Sequence, residues 1–74
     1  MRTHRYRIMI SGHLGKIGHE AFGDFRIEPN RTHTVLVGDL DQAALYGALN
    51  RILSLGFELL ALARMTDGLA AKTE

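Results

Sequence analysis

Seventy-four residues allow one domain and no more. An apolar fraction of 46% excludes a disordered chain, the lack of cysteine excludes disulfides and thiolate metal sites, and a net charge of +1 gives no general drive toward nucleic acid or membrane. So short a chain buries a marginal core, and with disulfides ruled out a partner subunit is the natural extra support.

His4-Arg5-Tyr6-Arg7-Ile8-Met9-Ile10 alternates, with Tyr6, Ile8 and Ile10 on one face and Arg5, Arg7 and Met9 on the other. That pattern predicts a half-buried strand with a basic outer side. Residues 1–19 carry Arg2, Arg5, Arg7 and Lys16 without an acid, whereas residues 20–74 carry five basic and eight acidic side chains. The apolar run Ile8-Met9-Ile10 is too short for a signal-peptide core or a membrane span, so a cytoplasmic, membrane-free setting is expected.

Ser11 to Gly23 holds Gly12, Gly15, Gly18 and Gly23 and reads as a loop, anchored by Leu14, Ile17 and Phe22. Phe22 to Glu28 reads as a second strand, Glu28-Pro29-Asn30-Arg31 as a tight turn, and Thr32 to Val37 as a third strand closing a hairpin. A helix follows. Asp39 is the expected N-cap, with Gln42 completing a capping box and Asp41 in the first turn. Leu45, Ala48, Leu49, Ile52 and Leu55 share an apolar stripe, with Leu53 on its margin. Gly56 and Phe57 fit a Schellman-type end.

Phe57 to Met65 reads as a last strand. Phe57, Leu59, Ala61, Ala63 and Met65 fall on one face, and Glu58, Leu60, Leu62 and Arg64 on the other. Leucine and alanine also favour helix, so the competing reading is three strands followed by a helical hairpin broken at Gly56. The predicted class is α+β: β-β-β-α-β in one domain over residues 1–66, a mostly antiparallel sheet under one helix, with a flexible tail over 67–74. A right-handed crossover would make strands three and four parallel.

One helix covers one sheet face. The other face is expected to expose Leu60 and Leu62 with Met9 beside them, which predicts a homo-oligomer, a dimer first of all. The outward side of the helix offers Tyr46, Gly47, Asn50 and Arg51 as a surface for a protein partner. These features read as a non-catalytic interaction module. The alternative is a nucleic-acid binder using Arg5 and Arg7, with Lys16 as a further anion contact. A third reading places a small ligand or phosphate at Gly12-His13-Leu14-Gly15-Lys16-Ile17-Gly18, although Ile17 stands where a phosphate loop needs Ser or Thr. His4, His13, His19 and His33 lack the spacing of a metal site, and Ser11 beside His13 is no triad, so neither metal, cofactor nor catalytic residue is expected.

The run Asp41-Gln42-Ala43-Ala44-Leu45-Tyr46-Gly47, followed by Leu49, Arg51, Ile52, Leu55-Gly56 and Leu59-Leu60, resembles a family of short uncharacterised bacterial proteins. Their helix reads Asp-Gln-Ala-Ala-Leu-His-Gly. Its neighbours match too, with Thr34-Val35-Leu36-Val37-Gly38 before the helix and Ser11-Gly12-His13-Leu14 closing the first strand. The resemblance spans residues 5–62, departing at Tyr46 and in the Gly15–Gly23 loop. It implies a shared fold and supplies no catalytic residues.

Overall fold

The computed structural model describes residues 2–65. Its elements are β1 (His4–Ser11), α1 (Gly15–Ala21), β2 (Arg26–Pro29), β3 (His33–Leu40), α2 (Gln42–Ser54) and β4 (Leu59–Met65). The four strands make one antiparallel sheet in the order β2-β3-β1-β4. The connection through α1 passes β3, and the connection through α2 passes β1. This is the split β-α-β topology of ferredoxin-like folds. β3 and β4 are each antiparallel to β1, so they run parallel to one another, as expected of a helical crossover. The class is α+β, and β4 as a strand removes the helical-hairpin alternative. The expected tail over 67–74 lies outside the described residues. Among the described residues no helix is long and apolar enough to cross a membrane.

The alternation in β1 builds the core. Tyr6, Ile8 and Ile10 are buried on the side of the helices, together with Leu36 and Leu40 of β3. Leu45, Ala48 and Ile52 of α2 join the same cluster, as do Leu14 and Phe22 at the two ends of α1. Both helices therefore cover one face, and Arg5, Arg7 and Met9 lie on the open one.

The glycine-rich segment is a helix as well as a loop, so two helices cover the sheet where one was expected. Leu14, Gly18 and Phe22 recur every four residues and bury one edge of α1. Gly18 is there for proximity: a Cβ on it would stand 2.7 Å from Cβ of Leu14. Tertiary packing thus outweighs the roughly 1 kcal/mol that glycine costs a helix. Ile17, expected as an anchor, points outward and is 71% exposed. The second strand is also shorter than its alternation suggested. Phe22 to Phe25 turn inward before β2 begins, and the Phe25 ring lies over Gly38 of β3, where a Cβ would meet it at 3.0 Å. The hairpin is as expected, its loop closed by the Asn30 amide donating to the His33 carbonyl at 2.8 Å.

At the start of α2 the cap is Asp41, whose Oδ1 accepts from the Ala44 amide at 2.8 Å. Asp39, expected in that role, is still in β3 and pairs with Arg5 across the sheet at 3.1 Å. The strand runs three residues further than its apolar run because its partner strand continues to His4. Gln42 is consequently the first helical residue and completes no capping box. The far end is a Schellman turn: Phe57 donates to Ile52 and Gly56 to Leu53, both at 3.1 Å, and Gly56 takes φ +87°.

Among the described residues β4 pairs only with β1. Ile8 stands opposite Leu62, Tyr6 opposite Arg64 and Met9 opposite Ala61, with a bulge where the register shifts between Met9 and Ile10. Directly opposed residues share a face, so Leu62 and Arg64 lie on the helix side and Ala61, Ala63 and Met65 on the open side. The expected faces are exchanged from Ala61 to Met65, whereas beyond the bulge Leu59, opposite Ile10, keeps the helix side. Leu62 does not neighbour Met9; the two stand on opposite sides of the sheet.

Candidate interaction surface

The two edges of the sheet differ sharply. β2 is four residues long, carries Arg26 and Glu28 joined at 3.2 Å, and ends in Pro29, which donates no backbone hydrogen bond. Short length, charge and proline are the devices that blunt an edge. β4 has neither the short length nor the proline, and its bulge and single charge are its only such devices. It runs seven residues, Leu-Leu-Ala-Leu-Ala-Arg-Met, with one charge, and every residue in it is exposed. Its outer row of amides and carbonyls has no partner strand within the described residues.

The apolar surface continues from β4 onto α2. Arg51 turns toward α1: its guanidinium donates to the Ala21 carbonyl and stands 5.0 Å over the Phe22 ring and 5.9 Å over the Phe25 ring. That flank of α2 therefore faces the β3–β2 half of the sheet. At 100° per residue, Leu49, Leu53 and Tyr46 occupy the opposite flank, which overhangs β4. Leu49 is partly buried, but Leu53 is 64% and Tyr46 58% exposed. On the same side of β4 lie Leu62, opposite Ile8, and Leu59, opposite Ile10, 42% and 38% exposed, with Leu60 the extra residue of the bulge between them. Leucines of helix and strand thus form one apolar strip along a single side of the molecule.

Of the expected helix surface, Tyr46, Gly47 and Asn50 are exposed, and a Cβ on Gly47 would meet nothing within 4 Å. Arg51 does not belong with them, since its guanidinium is held inward. No local signal marks that role, because the carbonyl and rings that hold Arg51 lie about thirty residues away in sequence.

The three expected anion contacts are not gathered. Arg5 and Arg7 stand on the open face of β1, whereas Lys16 is on α1 beyond the opposite face. The hydrogen bond that Arg5 donates to Asp39, together with the carboxylate's charge, holds the Arg5 guanidinium protonated above its ordinary range. A shallow depression of about 250 Å³ beside this pair is lined by Arg5, Asp24, Arg26, Val37, Gly38 and Asp39, so its cations are matched by acids. The Gly12–His13 turn is clipped to the hairpin. Gly12 donates to the Thr32 carbonyl and Thr34 Oγ1 donates back to the Gly12 carbonyl, both at 2.8 Å, while His13 Nε2 donates to the Asn30 carbonyl. Among the described residues no three His, Asp or Glu side chains converge as a metal site would require.

Comparison with protein families gives one match, a domain of unknown function, DUF8691, over residues 5–63. The chain belongs to the DUF8691 family. The match runs from the second residue of β1 into β4, so the family domain is the whole sheet with both helices. No curated protein and no solved structure matches the chain. A ferredoxin-like topology supports many unrelated activities, so function has to be argued from the surface itself.

Proposed function

We propose that this DUF8691 chain is a non-catalytic interaction module that works as a homodimer, joined edge to edge through β4 in the bacterial cytoplasm. The observation that carries this reading is β4 itself: a long, leucine-rich, proline-free edge in a molecule whose other edge is protected. A second copy is the occupant that suits it. Glu58 immediately precedes the strand and Arg64 is its penultimate residue, so antiparallel pairing of two copies sets the acidic end of each beside the basic end of the other. Such pairing is isologous and closes, adding one strand to each sheet without leaving β4 free. The nucleic-acid alternative has less support, because Tyr6 is in the core and the arginines of the open face are interleaved with Asp39 and Glu28.

Sedimentation at micromolar concentration tests the reading. The wild-type chain is expected at twice its 8.2 kDa mass. Leu62→Glu, which places a carboxylate in the apolar strip at a position 42% exposed, beside the core rather than in it, is expected to give a folded monomer with unchanged far-ultraviolet dichroism. A wild-type monomer, or a Leu62→Glu dimer as tight as wild type, overturns it.

A further inference from the structure

Edge pairing alone would involve only backbone groups and the leucines of β4. The flank of α2 that overhangs this edge adds something not implied by the strand. α2 begins above the end of the sheet where Leu40 faces His4, and there β4 ends with Met65 opposite Arg5. Tyr46 therefore lies toward the Arg64 end of β4, and Leu53, two helical turns on, toward the Leu59–Leu60 end. In an antiparallel dimer the neighbouring strand runs the other way. A two-fold pairing centred on Ala61 sets Leu60 beside the partner's Leu62 and Glu58 beside the partner's Arg64.

We infer that the second copy is gripped in two layers, its β4 seated beneath the α2 flank as well as against the strand edge, with Leu53 packing on the partner's Leu62. This rests on the homodimer reading and names the surface that makes it selective. Strands in a sheet are about 4.8 Å apart, so the partner's β4 lies about 10 Å from β1. A helix with side chains has a radius of about 5–6 Å. A leucine projecting sideways from α2, where the helix spans β1 and β4, reaches the boundary between the two copies of β4, about 5 Å from the midline of that strand pair. Helix and partner helix stay apart, about three strand spacings between the two copies of β1, beyond the 8–10 Å of direct helix packing. The contact is thus helix on partner strand. It also accounts for the 64% exposure of Leu53 on a helix whose neighbouring stripe is buried. A peptide added to the edge would gain the backbone pairing but carries no counterpart to the Glu58 and Arg64 exchange.

The test is Leu53→Glu measured beside Leu62→Glu and Asn50→Glu. Leu53 and Asn50 are both exposed on α2, and only Leu53 belongs to the overhanging flank. Leu53→Glu is expected to raise the dimer dissociation constant at least tenfold, and Asn50→Glu to leave it unchanged. The chain has no cysteine, so single-cysteine variants report the same geometry independently. Leu53→Cys mixed with Leu62→Cys is expected to yield a disulfide-linked dimer of the two different chains on mild oxidation. A Leu53→Glu dimer of wild-type affinity, or a mixture that forms no mixed disulfide, overturns the two-layer contact. If Leu62→Glu still dissociates in that case, edge pairing survives alone. A monomeric wild type removes both.

Discussion

Arg51 shows how one side chain can set the arrangement of several elements. It is half-buried at the C-terminal part of α2, gives a hydrogen bond to the last residue of α1, and lies over two aromatic rings that themselves meet edge to face at 5.8 Å. Guanidinium suits this position because it is planar, weakly hydrated and can donate while stacking, which an ammonium cannot do. A cation over a partly desolvated ring and a charge-assisted hydrogen bond together contribute about 2 kcal/mol. Arg51→Ala is therefore expected to lower the urea midpoint by that stability, with the m-value unchanged, and Arg51→Lys to recover less than half of it. Because the side chain faces away from β4, neither change is expected to alter the dimer constant once corrected for folding. An Arg51→Lys variant as stable as wild type would mean that charge alone, and not the stacked geometry, holds α1 to α2.

At the scale of elements, the two aspartates before α2 separate local chemistry from sheet pairing. Asp41→Ala removes the acceptor of an orphan amide and is expected to cost about 1 kcal/mol. Asp39→Ala breaks an exposed pair with Arg5 and is expected to cost less, within about 0.5 kcal/mol, in denaturant titrations of each variant. Equal losses would contradict the cap assignment. The same pair shows what was legible in the chain. Helix end, hairpin and β1 alternation rest on interactions within a few residues, and each was readable, down to Gly56 and Phe57. The exact cap was not, because the last two residues of β3 are held by β1, far away in sequence. α1 was hidden for a related reason: its glycines count against a helix locally, and what holds it is the packing of Leu14 and Phe22 into a core built by distant strands and α2. The faces of β4 were misread because a bulge and a long-range register, and not the strand's own alternation, decide which side Leu62 takes. The leucines of the candidate surface were legible as residues, but their position beneath the free flank of α2 emerges only from the assembled fold.

For the whole molecule, size and association are linked. A 74-residue chain without disulfides leaves a small margin of stability. Pairing through β4 and α2 would bury leucines that the single chain leaves in water, at about 25 cal/mol per Å² of apolar surface. Folding and dimerisation then become one equilibrium, in which concentration favours the paired native state by mass action. Each tenfold rise in protein concentration is worth about 1.4 kcal/mol per dimer. Unfolding entropy near 2 cal/mol/K per residue, summed over two chains, converts this to a rise in Tm of about 4 °C. Calorimetry across a hundredfold range of concentration is expected to show a shift of about 8 °C for the wild type. Leu62→Glu is expected to melt at a lower temperature that does not move with concentration. A wild-type Tm independent of concentration would show that the chain folds alone and that its leucine strip serves something other than its own copy.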